Sequence, residues 1–178
     1  LMHIVGRTTI PIMCFFLSEG YAHTRSVPRY AGRLALLAAL SYLPFIYFET
    51  GGLPEGSSCL YLNVLYTLLC CLFALCVWDR VRNAGLKSAL LLLLCLVPDL
   101  GDWGVYALLF TLSFYANRGD FPRQAFWFFC SALVMFTLTV SQTLADNPAL
   151  PFSTALSRNA MQLGVLLTLP LLCLYNGN

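Results

Sequence analysis

The sequence predicts an all-α fold, a polytopic bundle of about seven membrane-spanning helices. Three observations lead there. The 178-residue chain is 59% hydrophobic and only 10% charged, where a soluble domain carries about 25% charged residues. Its apolar residues fall in long runs, several of them near the 20 or so residues that a helix needs to cross a hydrocarbon core. The loops between those runs alternate between basic and acidic, as they do when Lys and Arg stay on the cytoplasmic side.

The runs define the elements in order. The first span is Ile4–Ala22, and the second is Tyr30–Phe48, ending near the kink signal of Pro44. The third is Leu60–Trp78. The fourth and fifth, Leu86–Val97 before Pro98 and Trp103–Ala116, are short enough to be half-length or tilted helices. Irregular backbone at that depth must be buried in protein or line a cavity. The sixth is Gln124–Gln142 and the seventh Ala160–Tyr175, with "TLADNPALPFSTALSRN" as the loop between them. Loops one, three and five hold Arg25, Arg29 and Arg33, then Arg80, Arg82 and Lys87, then Arg118 and Arg123. Loops two and four hold only Glu49 and Glu55, then Asp99 and Asp102. This pattern puts His23 and Arg25 at the cytoplasmic mouth and Arg7 towards the outer side. Residues 1–178 read as a single transmembrane domain, an excerpt of a longer chain that starts at Leu1.

Several functions are set aside. A net charge of +2 suggests no nucleic-acid partner. The chain has no GxSxG, Walker loop or HExxH, so nothing points to a serine hydrolase, an ATPase or a zinc enzyme. Seven of the eight cysteines lie inside apolar runs and Cys59 near a loop. They read as small packing residues, with no metal site.

The informative residues are polar ones inside the spans, because an ionisable group in hydrocarbon is costly and usually faces the bundle interior or a water-filled cavity. Glu19 and His23 are four apart and share a helix face. A Glu beside a His can hold the imidazole in one tautomer, which suits a general base acting on an amine or hydroxyl. The same stretch also reads as an end-of-helix ion pair, with Arg25 snorkelling to lipid phosphates. Arg25, Arg29 and Arg33 suit either the phosphates of a nucleotide or coenzyme or anionic lipid, and Arg33, which opens the second span, is expected to turn inwards. Asn63 and Thr67 read as interhelical glue or as the lining of a substrate path. Asp102 and Tyr106 share a face at the outer entry of the fifth span, and Trp103 reads as part of an interfacial aromatic belt.

The run "GRTTIPIMCFFLSEGYAHTRSVPRYAGRLALLAALSYLPF" resembles the TraX family, through Gly6, Arg7, Pro11, Glu19, Gly20, His23, Thr24, Arg25, Tyr30, Arg33, Leu34, Ser41, Pro44 and Phe45. "LNVLYTL", "DWGVYALL" and "LPLLCLYNG" continue the likeness in order over nearly the whole chain. The family is named for the conjugal-transfer protein that acetylates the N-terminus of F pilin. The resemblance implies a multi-pass acyltransferase of the bacterial inner membrane that uses acetyl-CoA, with a pilin amine or a glycan hydroxyl as acceptor. TraX proteins look distantly related to multi-spanning sugar acyltransferases, which carry an Asp-His pair on their first helix. "LMHIVGR" has His3 but no such pair, and the helix expected after "YNG" is absent. A catalytic base on a helix before Leu1 therefore stays open.

The expected mechanism places acyl-CoA phosphates at Arg25 and Arg33. His23, oriented by Glu19, takes the acceptor's proton, and Arg7, Asn63, Thr67, Asp102 and Tyr106 line the route. Arg7 and Asp102, both towards the outer side, are placed to pair. A transporter and a non-catalytic scaffold for pilus or secretion assembly are the other readings, the first weakened by the lack of an inverted repeat.

Overall fold

In a computed structural model the chain folds as an all-α bundle. The structure describes residues 6–51, 62–96 and 103–174. Its helices are α1 (Thr9–His23), α2 (Val27–Thr50), α3 (Val64–Arg80), α4 (Ala84–Leu96), α5 (Gly104–Ala116), α6 (Phe121–Asp146), α7 (Phe152–Asn159) and α8 (Thr168–Cys173), with the 3₁₀ helix η1 (Ala160–Leu167) joining the last two.

Side-chain spacing explains the packing. On α1, Ile10, Cys14, Leu17, Ser18 and Tyr21 are buried, a stripe at three- and four-residue intervals. That stripe meets α5, which packs against α1, α3, α4 and α6 and is the centre of the bundle. Ala107, Leu108, Phe110, Thr111 and Phe114 of α5 are all buried. The aromatic centre is Phe114, stacked on Phe128 of α6 at 5.1 Å and met edge-on by Phe15 of α1 at 5.5 Å. α1, α3 and α5 run in the same direction and touch one another. Arg7 meets Trp103 where α1 and α5 begin, and Asp79 meets Tyr115 where α3 and α5 end.

Caps set the element boundaries. Asn63 caps α3 by accepting from Tyr66 N at 3.1 Å, and its amide donates to Ala38 O of α2 at 2.9 Å. Asn83 accepts from Gly85 N and Leu86 N at the start of α4. Asp120 accepts from Arg123 N at the start of α6, with Pro122 in the first turn, where its missing N–H costs nothing.

The second span, expected over Tyr30–Phe48 with a kink signal at Pro44, is α2, which carries Pro44 inside and is closed by Gly51 at φ +69° with a bond from its N–H to Tyr47 O. One boundary differs from the sequence reading. Residues 152–159, expected in a loop, form α7. Extended Pro151 starts that helix, and Asn159 ties it back to α6 through Thr143 at 3.0 Å.

Three stretches among the described residues are long and apolar enough to cross a membrane: Val27–Phe48, Phe121–Asp146 and Phe152–Cys173. α4 and α5 have 13 residues each, or ~20 Å at 1.5 Å per residue, against a hydrocarbon core of about 30 Å. The outer face of α2 carries exposed Leu36, Leu40, Leu43 and Phe48, and that of α6 carries Phe126, Trp127 and Leu138. Water-soluble monomers rarely show so much contiguous apolar surface.

Candidate functional site

Glu19 stands one turn before the end of α1, on a helix that is apolar for most of its length. A carboxylate there needs a cation or several donors. Arg118, just past the end of α5, supplies both. Its Nε donates to Glu19 Oε1 at 3.0 Å and its Nη2 to Oε2 at 3.3 Å. This is the two-point fork that a guanidinium offers and an ammonium does not. Gly119 at φ +89° lets the chain turn straight from Arg118 into the cap of α6.

His23 follows one turn later. Its Nδ1 lies 3.0 Å from the main-chain carbonyl of Glu19. A carbonyl only accepts, so in the neutral ring Nδ1 carries the proton and Nε2 keeps its lone pair. Arg118 Nη2 is 3.3 Å from Nε2 and 3.4 Å from Nδ1. The Glu19 carboxylate is 3.7 Å from the ring. The main chain therefore orients His23, while the carboxylate holds Arg118. The His23 side chain is 71% exposed and Glu19 only 23%.

The surroundings are polar and close-fitting. Tyr115 donates its hydroxyl to Asp79 Oδ2 at 2.6 Å, which joins the ends of α5 and α3. Tyr21 meets the Tyr115 ring edge-on at 5.4 Å. The hydroxyl of Tyr30 lies over Gly20, where an added Cβ would come within 3.1 Å of it. Arg25, Arg29, Arg33, Arg80, Arg82, Lys87, Arg118 and Arg123 all lie at this end of the bundle, eight of the ten Lys and Arg in the chain. All of these but Lys87, which is half-buried, are exposed, Arg25 and Arg33 included. Arg33 does not turn inwards as expected, because Tyr30 and Leu34 take the inward positions of that turn.

The remaining sequence candidates lie elsewhere. Arg7 sits at the other end of α1, its guanidinium carbon 5.8 Å from the centre of the Trp103 ring. Sixteen residues separate it from His23, ~24 Å along a helix. Asp102, and with it the expected pairing to Arg7, lies outside the described residues, as does Asp99. Tyr106 is half-buried against the core near Trp103. Asn63 joins α3 to α2 and lines a groove of about 420 Å³ with Ala38, Ala39 and Tyr42. Thr67 is 1% exposed, and its hydroxyl has no hydrogen-bond partner among the described residues. Glu19, His23 and Arg118 are thus brought together, and Arg7, Asn63 and Tyr106 are not brought to them.

Arg118 and the Tyr115–Asp79 pair are what the sequence reading missed, since it took Arg118 only as a loop charge. The available signal was Glu19 itself. A carboxylate in an apolar helix demands a cation, and Arg118 is the first cation after the fifth apolar run, at the same end of the bundle.

A curated relative from Dichelobacter nodosus, described as "Probable fimbrial assembly protein FimC, serogroup H1", is 31% identical over 155 residues. The alignment takes in 84% of this chain and 63% of that protein, so the chain spans under two thirds of the relative's length. No solved structure matches significantly. The family model described as "TraX protein" matches residues 1–177. On a match of that extent, the chain belongs to the TraX family.

Proposed function

We propose that this chain is a multi-pass protein of the bacterial inner membrane that serves pilus assembly by transferring an acetyl group from acetyl-CoA to an amine or hydroxyl, a pilin N-terminus being one such acceptor. The observation that carries this reading is the Glu19–Arg118–His23 cluster at the cationic end of the bundle. The name of the Dichelobacter nodosus relative supports the fimbrial setting. The concentration of Lys and Arg at one end suits a donor that carries several phosphates.

In this mechanism the donor's phosphates meet Arg25 and Arg33, which are exposed on the first turns of α2 and just before it. His23 Nε2 takes the proton as the acceptor attacks the thioester carbonyl. The C–S bond then breaks, and the thiolate of coenzyme A leaves and is protonated. Arg118 Nη2, already beside Nε2, is placed to steady the developing oxyanion once the substrates enter. Glu19 keeps Arg118 in position from a mostly buried site.

The test uses the full-length protein in membranes and follows release of coenzyme A thiol and transfer of labelled acetyl groups. His23→Ala is expected to abolish both without changing expression, and Arg25→Ala to weaken saturable acetyl-CoA binding. A non-catalytic assembly role is favoured by the two-point hold of Arg118 on Glu19, which fastens α1 to α5. It predicts that the parent protein transfers no acetyl group and that Arg118→Ala loosens the fold; absence of transfer by the parent decides for it, whereas unchanged transfer in His23→Ala only removes His23 from the mechanism.

A further inference from the structure

A groove of about 510 Å³ runs along the outer face of α5. Its floor is the seam between α5 and α6, where Ser113 and Ser131 meet hydroxyl to hydroxyl at 2.8 Å. Its walls include Trp78, Trp127 and Val134, and Asn117 closes the end nearest Arg118. Lys87 of α4 sits over the Trp78 ring, 5.0 Å from its centre. The groove therefore has an apolar trough and a cation at its mouth.

From this arrangement we infer that the groove holds one acyl chain of an anionic phospholipid, with the headgroup at Lys87. The inference rests on the reading of the chain as an integral membrane protein. Three features select this occupant. The polar atoms of the floor are already satisfied: Ser113 bonds to Leu109 O, Ser131 to Trp127 O, and Asn117 donates to Ser113 O. A polar ligand would find few free partners there, whereas an alkyl chain needs none. The size suits a narrow occupant: one helical turn about 10 Å across and 5.4 Å tall already fills ~420 Å³, so the groove of about 510 Å³ seats little more than one turn. The charge is complementary: Lys87 makes no ion pair among the described residues, and indoles with a nearby cation are the usual residents of the headgroup level.

The assay reads tryptophan fluorescence of the full-length protein in detergent, with Trp103 and every tryptophan outside residues 1–178 changed to Phe, so that only Trp78 and Trp127 report. The probe is phosphatidylglycerol with brominated acyl chains, compared with the same chains on phosphatidylcholine. The expected result is saturable quenching at one lipid per protein, tighter for phosphatidylglycerol. Lys87→Ala should remove most of that preference, about a fivefold loss for one juxtamembrane cation. Ala116→Phe, on an exposed groove-lining position, should block saturable quenching, while Leu133→Phe at an exposed position outside the groove should not. Quenching that rises without saturation, equally for both lipids and regardless of Ala116→Phe, overturns the lipid site. A protein that washes off membranes at high pH overturns the membrane reading itself, a separate result.

Discussion

The contact between Arg118 and Glu19 yields the sharpest prediction, made on a double-mutant cycle of Glu19→Ala, Arg118→Ala and the pair. Hydrogen bonds to charged groups contribute about 1.5–3 kcal/mol when shielded. The two side chains are 23% and 37% exposed, so screening and side-chain entropy lower the expected coupling to about 1–2 kcal/mol. In a domain of this size each kcal/mol moves Tm by about 2–4 °C, so Arg118→Ala should melt about 2–8 °C below the parent. The double mutant should lie close to the worse single mutant, because either change alone already breaks the fork. The measurement is thermal unfolding in detergent by intrinsic fluorescence at low and high salt, with the coupling expected to shrink as salt rises. Additivity within about 0.3–0.5 kcal/mol would refute the claim that Arg118 is held by Glu19, and with it the account of how the cluster is positioned.

Other outcomes follow from the same structure. Phe128→Ala removes a fully buried ring stacked on Phe114 and tilted against Phe110, and should cost about 3–5 kcal/mol, seen as a large drop in Tm. Asn63→Ala loses both the α3 cap and the bond to Ala38 O, about 1 kcal/mol from each, and thermal melts should show the sum. His23→Ala alters a side chain that is 71% exposed and should change stability by under about 0.5 kcal/mol, so that any loss of acyl transfer reports chemistry and not folding.

Much of the fold was legible because apolar runs and loop charges carry the bundle pattern directly. The runs around α3, α5 and α6 each produced a helix within a few residues of the expected place. The second run likewise became α2, which carries Pro44 inside with only one backbone donor removed. The reading failed at α7. The polar stretch before Ala160 looked like a loop because α7 is mostly exposed and carries few apolar residues. Within the candidate site, Glu19 and His23 were legible from their four-residue spacing, which is local. Arg118 lies 99 residues from Glu19, and a partner brought in by tertiary packing leaves no periodic trace in either segment.

The shared direction of α1, α3 and α5 has an electrostatic consequence. Each helix presents about half a negative charge at its C-terminus, and three of them end together in the middle of the cationic face. That centre is a place for protons and guanidiniums and a poor one for phosphate. α2, α4 and α6 begin around it, with positive ends and with Arg29, Lys87 and Arg123 near their first turns. An anion approaching this face meets a favourable rim and an unfavourable hub. In the mechanism proposed above, the helix dipoles thus set the resting place of a phosphorylated donor apart from the place where His23 would exchange a proton.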